Sequence, residues 1–284
     1  MRNPMRYHQV SKVTLKPDVV DGIVFWTKNP APMLGRLNEL DEYMYYFQFT
    51  VTPYGSDIEP NVPAIASTTL QTYKRLADFI GPERVIWRYD PILFNDKYTY
   101  AYHIKTFAKI AGELRDYTKK VIYSFIDTSY RGVRGNLKEL ALHGITTDMK
   151  IKMSSELAGI AHDNNLIIET CAEELDLSQY GISRSRCIDD RLFTKLIDCN
   201  LDLDRDKNQR LECGCVTSID IGMYNSCMNG CLYCYANYKK NHIAENSATH
   251  DINSPLILGN VCEFDKITER EVKSNRNAQI SFRL

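Results

Sequence analysis

Nine cysteines crowd into one stretch of this 284-residue chain: none precedes Cys171, and the last is Cys262. Core cysteines scatter along a sequence, whereas a cluster confined to one segment argues for metal. The tightest run is Cys227-Met228-Asn229-Gly230-Cys231-Leu232-Tyr233-Cys234, a C-x3-C-x2-C spacing. A 4Fe–4S cubane needs one outside ligand per iron, so three thiolates from one loop leave the fourth iron open. A vacant position is what separates a catalytic metal site from a closed structural one. Gly230 and Asn229 are expected to adopt positive φ and let the thiols converge.

Cys171, Cys187, Cys213 and Cys215 form a second set. Four thiolates can close an auxiliary 4Fe–4S cluster; zinc, or plain buried thiols, are the alternatives. A structural zinc site from Cys213, Cys215, Cys231 and Cys234 would have one C-x-C arm and would strand Cys227, unlike the usual paired C-x2-C knuckles. Ferredoxin-type carriers use C-x2-C-x2-C with a distant fourth cysteine. Cys199 reads as a small core residue beside Leu196 and Ile197, and Cys262 is given no role.

Composition restricts the rest. Apolar residues make up 44% and charged residues 25%, with a net charge of −1. These are ordinary globular values. They advertise neither nucleic acid nor an anionic membrane as partner. The opening Met-Arg-Asn-Pro-Met-Arg-Tyr-His has no apolar signal core. Apolar runs such as Ile23-Val24-Phe25-Trp26 are too short to cross a bilayer. A soluble, cytoplasmic protein with reduced thiols is expected.

The first 170 residues alternate strand and helix signals. Strands are expected at 23–27, 45–51, 84–88, 121–126 and 166–168, with helical stretches from Pro30 to Leu40 and near 65–80, 99–117 and 147–164. Such alternation implies parallel pairing through right-handed crossovers. Polar residues follow the strands: Thr27-Lys28-Asn29, Thr50 and Thr52, Arg88 and Asp90, Asp127, and Glu169. In a (β/α) barrel these ends converge on one mouth, where active sites are built. The expected fold is a partial TIM-like barrel of about six parallel strands, with residues 216–221 as the sixth. Its domain is expected to span 1–238, including a cysteine-rich segment at 171–215 and a cluster loop at 222–238. Residues 239–284 form a polar C-terminal extension.

Other candidates are weaker. Arg88 and Asp90 could bind a cofactor's carboxylate and ribose, or simply pair with each other. Lys28 and Asn29 face the same choice. Glu169 and Glu173 could bind ribose hydroxyls or be solvated loop acids. Tyr43, Tyr45 and Tyr46 are expected to pack rather than relay a radical. Histidines lack ligand spacing, and no phosphate-binding glycine loop is present.

The three-cysteine motif, with Tyr233 just before its last cysteine, resembles that of the radical S-adenosylmethionine superfamily. Cys234-Tyr235-Ala236-Asn237 is most similar to the spore photoproduct lyase branch. This resemblance implies that Cys227, Cys231 and Cys234 hold a 4Fe–4S cluster with S-adenosylmethionine on the open iron. It implies reductive cleavage to a 5′-deoxyadenosyl radical, with Tyr233, Arg88, Asp90, Lys28 and Asn29 around the cofactor and a flavodoxin- or ferredoxin-like reductant as partner. No residue is assigned to catalysis, and the near-neutral charge does not support a nucleic-acid substrate. The rival is a zinc-stabilised binding module without redox chemistry.

Along almost its whole length the chain resembles a microbial family known as domain of unknown function 1848. The landmarks are Val24-Phe25-Trp26-Thr27-Lys28-Asn29-Pro30, Thr52-Pro53-Tyr54-Gly55, Ile58-Glu59-Pro60, Trp87-Arg88-Tyr89-Asp90-Pro91-Ile92, Cys171-Ala172-Glu173, Gln209-Arg210, and Asp220-Ile221-Gly222-Met223-Tyr224-Asn225-Ser226-Cys227. A C-terminal cysteine motif implies a circularly permuted barrel, in which 216–221 supplies the strand that usually comes first. Family members begin with a Thr-Asp-Ile-Pro segment ahead of the Arg-Asn-Pro found here at Arg2-Asn3-Pro4. A chain starting after it is expected to lack a barrel strand, expose a sheet edge, and be either active or an inactive truncated member.

Overall fold

Tyr45–Thr50 places large side chains on both of its faces, and every residue from Tyr45 to Phe49 is buried. A strand covered on both sides belongs inside a layered α/β sheet. In the computed structural model, which describes residues 1–3 and 6–277, it is the second strand of a six-stranded sheet. The strands are β1 (Gln9–Val13), β2 (Ile23–Thr27), β3 (Tyr45–Thr50), β4 (Val85–Ile92), β5 (Lys120–Phe125), β6 (Ile167–Thr170), β7 (Ser183–Arg184), β8 (Asn200–Leu201), β9 (Lys266–Arg270) and β10 (Arg276–Asn277). The helices are α1 (Leu70–Ile80), α2 (Tyr100–Leu114), α3 (Arg131–Gly135), α4 (Leu137–Leu140), α5 (Thr147–Asp163), α6 (Asp190–Ile197) and α7 (Lys240–Ala248).

The sheet runs β2-β3-β4-β5-β6-β7, and every pair in it is parallel. Each crossover steps to the next position in one direction. A doubly wound sheet would reverse at a switch point; this one does not. Its three long helices accordingly share one face. Tyr73 of α1, Phe107 of α2 and Met153 of α5 join one core with Phe47, Trp87 and Tyr123 of the strands. Each such fully buried large side chain contributes about 1.5–3 kcal/mol. The result is an arc of a (β/α) barrel, as the alternation of elements predicted. The other face carries Tyr46, Ile86 and Ile122, covered by Phe193 of α6.

Local chemistry sets the helix ends. α1 buries Leu70, Tyr73, Leu76, Ala77 and Ile80 on one stripe and stops at Gly81, whose φ is 92°. Thr99 and Thr146 cap α2 and α5 by accepting from the backbone N–H of Tyr102 and Met149. The Pro30–Leu40 stretch winds as a 3-10 helix over Ala31–Leu40, with Leu37 buried.

Residues 216–221 depart from expectation. Val216 makes only an isolated antiparallel bridge to Arg205, and 217–221 join no strand. Polar side chains there divert the backbone: Thr217 N and Oγ1 both donate to Asp204 O, and Asp220 Oδ1 accepts from Gly222 N. The sixth position belongs instead to the two-residue β7, so the segment ahead of the cysteine loop is not the first strand of a permuted barrel.

The polar tail is structured where it returns to the N-terminus. β9 pairs in parallel with β1, and Arg2 grips Asp265 with both Nη atoms at 2.6 and 2.7 Å. Cys199 is half-buried rather than a core residue, with its Sγ near Asn277 O. Tyr45 and Tyr46 pack as expected. Among the described residues no helix is long and apolar enough to cross a membrane.

Candidate metal centre

The Cys227–Cys234 loop rests on the C-terminal end of the sheet, held almost entirely through its backbone. Leu232 N donates to Ile58 O at 3.0 Å, and Asn61 N to Asn229 O at 3.1 Å. Asn61 Nδ2 donates to Met228 O, Asn136 Nδ2 to Leu232 O and Asn237 Nδ2 to Cys227 O, at 2.6–2.7 Å. These amides fix the loop while leaving its sulfurs free of structural duty. Gly230 has φ 70°, as expected, and a Cβ there would meet Asn61 Nδ2 at 3.4 Å. Asn229 does not share that conformation; the second left-handed residue is Asn225, φ 55°, whose side-chain oxygen accepts from the N–H of Tyr238 and Lys239.

Beneath the loop lies a buried polar knot. Lys28, directly after β2, donates to Thr52 Oγ1 and Glu59 Oε1, each at 3.0 Å. Thr52 and Tyr233 also donate to Glu59 Oε1. Lys28 Nζ stands 5.5 Å from the centre of the Tyr233 ring, a cation–π contact. Glu59, given no role by sequence reasoning, is thus the anchor for Tyr233; only its place in the Ile58-Glu59-Pro60 landmark marked it.

The three thiols differ in setting. Cys227 is exposed, Cys234 half-buried and Cys231 buried. Burial pushes the Cys231 thiol up to about 12, with Lys28 opposing. Burial also raises Cys234, against the backbone N–H groups of Ala236 and Asn237. A lone buried thiolate is therefore disfavoured here, and a cation is what would make it tolerable.

The second set is assembled from three separate segments. Cys171 follows β6, Cys187 follows β7, and Cys213 and Cys215 come from the loop beyond α6. Cys171 Sγ lies 3.5 Å from Cys187 Sγ. Cys215 Sγ accepts from the N–H of Cys187 and Ile188 at 3.2 and 3.4 Å, and Cys213 hydrogen-bonds Cys215. That contact brings the Cys213 thiol down to about 7. Hydrogen bonding to Cys187, with burial behind it, holds Cys171 well above the usual thiol range. Gly214 is small for a reason: a Cβ would meet Ser185 O at 3.2 Å and Arg186 Cγ at 3.0 Å.

Arg88 and Asp90 pair with each other, Nε to Oδ1 at 3.2 Å and Nη2 to Oδ2. Arg88 Nη1 turns away and donates to Cys187 Sγ at 2.9 Å. Asn29 Oδ1 accepts from Ala31 N at 3.2 Å, a local turn that leads into the 3-10 helix. Glu169 pairs with Lys120 at 3.1 Å, and Glu173 binds Phe125 N and Lys150 Nζ. Both acids are buried rather than solvated. Lys28, Tyr233 and Cys231 are thus brought together, as are Arg88, Asp90, Cys171 and Cys187, whereas Asn29 serves its own turn.

Among the described residues no three cysteines bring their sulfurs within 4.8 Å of one another; the group that does is His8, Cys262 and Asp265. A tetrahedral zinc needs its thiolates about 3.8 Å apart, from Zn–S bonds of ~2.3 Å. The donors are thiols, the ligand type that zinc and iron–sulfur sites share.

Fold and site together define an α/β protein with an incomplete, singly wound barrel and two cysteine groups toward the C-terminal ends of its strands. The chain belongs to the family described as Domain of unknown function (DUF1848), whose model matches residues 1–236, a span that includes both groups. The family resemblance carried by the sequence landmarks is thereby borne out. No curated protein and no solved structure matches the chain.

Proposed function

We propose that this protein is a radical S-adenosylmethionine enzyme, with a 4Fe–4S cluster on Cys227, Cys231 and Cys234. The supporting observation is the placement of the three-cysteine loop over the Lys28–Glu59–Tyr233 knot at the C-terminal end of the sheet. That is where (β/α) architectures build their chemistry. Cys227, Cys231 and Cys234 would hold the cluster, which when bound would supply the electron for reductive cleavage of S-adenosylmethionine.

The chain's own groups prepare that site. Lys28 keeps a positive charge beside the thiolates and offsets part of their burial. Glu59 fixes both Lys28 and Tyr233, so the aromatic ring and the charge keep one geometry. Exposed Cys227 leaves the loop open to an incoming molecule. The proposal requires a low-potential donor such as a flavodoxin or ferredoxin and a reducing, cytoplasmic setting.

Anaerobic reconstitution with iron and sulfide tests it. The wild type is expected to turn brown, bleach with dithionite and release 5′-deoxyadenosine from S-adenosylmethionine without substrate. Cys231→Ala is expected to bind about four fewer irons per chain and to release none. Colourless protein carrying one zinc that Cys231→Ala removes overturns the proposal in favour of a zinc-stabilised binding module.

A further inference from the structure

We infer that Cys171, Cys187, Cys213 and Cys215 form a second metal centre, a closed four-thiolate iron–sulfur cluster separate from the open one. Four sulfurs from segments far apart in sequence meet at one place, linked in the series Cys171, Cys187, Cys215, Cys213. Nothing in their packing alone requires four thiols together, since aliphatic residues fill a core without desolvating polar sulfur.

The donors around them are arranged for thiolates. Cys215 Sγ receives two backbone N–H groups, and Cys187 Sγ receives the buried guanidinium of Arg88. Backbone and Arg N–H groups aimed at sulfur favour the anion over a neutral thiol. The charge of Arg88 is already matched by Asp90, so it does not neutralise several thiolates. A bound metal is the cation that balances them. Cys187 is fixed from behind, because its carbonyl accepts from Tyr46 Oη at 2.6 Å and Gln48 Nε2 at 3.0 Å.

Four ligands leave no vacant iron, so this centre would not activate a small molecule. Its chemistry is one-electron transfer, with Arg88 as a positioning residue whose hydrogen bond to sulfur raises the reduction potential.

The test is anaerobic reconstitution of the full chain with ferrous iron and sulfide, measuring iron and acid-labile sulfide per chain. Wild type is expected to hold about eight irons; Cys213→Ser, a part-exposed position, and Cys171→Ser about four each, with a native circular-dichroism spectrum. Arg88→Gln is expected to keep the iron but lower the midpoint potential of one cluster. The inference is independent of the open site: if that reading alone fails, Cys231→Ala leaves the iron count unchanged while Cys213→Ser still lowers it. Unchanged iron in both Cys213→Ser and Cys171→Ser overturns the inference, as does one zinc per chain that both variants lose.

Discussion

Lys28 Nζ lies 3.0 Å from Glu59 Oε1, and both side chains are almost wholly enclosed beneath the cysteine loop. One residue directly follows β2 and the other lies beyond β3, so the pair ties two strand ends to the segment that carries Tyr233.

Removing Lys28 leaves the Glu59 carboxylate buried with neutral partners only. Lys28→Ala is expected to destabilise the fold by about 3 kcal/mol, the usual cost of an orphaned buried charge. Denaturant titration measures it. Adding Glu59→Gln, which removes the charge, is expected to restore most of the loss; a double variant no better than Lys28→Ala would contradict this account.

Gly22 sits flush against a ring. A Cβ on it would lie 2.1 Å from Phe193 Cε1, and Phe193 is buried against Tyr46 at a centroid distance of 5.0 Å. Gly22→Ala must displace Phe193 of α6 from the sheet face that carries Tyr46, at about 2 kcal/mol for such overpacking. Combining it with Phe193→Leu is expected to recover part of that loss in thermal melts.

His103 predicts an acid limb in stability. It is buried, with Nε2 donating to Leu93 O at 2.8 Å and Nδ1 accepting from Tyr89 Oη at 2.9 Å. Burial drives its pKa from 6.5 down to about 4. Between those values the unfolded chain binds the extra proton, so the contribution is complete above pH 6.5 and lost as pH falls toward 4. The loss amounts to at most about 3 kcal/mol. Unfolding titrations of wild type and His103→Gln should converge across that window; parallel curves would refute the assignment.

The Arg2–Asp265 pair fastens the C-terminal segment to the first strand. Asp265→Asn removes the bidentate partner, and earlier proteolytic cleavage between α7 and β9 is the expected result. Fragments mapped by mass spectrometry check it; a cleavage pattern like wild type would show that β1–β9 pairing holds the tail alone.

The short apolar runs at Tyr45 and Val85 and the helical stripe from Leu70 to Ile80 could be read from sequence, because strand and helix signals there come from neighbouring residues. The cysteine spacing likewise fixed which residues share one loop, since eight consecutive residues cannot spread far. The segment 216–221 misled because its β-branched residues, Val216, Thr217, Ile219 and Ile221, favour a strand locally, while its partners, Asp204 and Arg205, were set by a long-range return of the chain. Sequence distance also hid the Glu59–Tyr233 contact across 174 positions and the Arg88 hydrogen bond to Cys187 across 99.

By itself, the order of residues determined the strand–helix alternation, the family and the three-cysteine loop, all of them properties of neighbours along the chain. The tertiary structure decided the rest: β7 completes the sheet, Glu59 anchors the loop, and Cys171 meets Cys187 at 3.5 Å. Those outcomes depend on which distant segments pack together, and packing is settled by the shape and charge of the assembled sheet rather than by any local pattern.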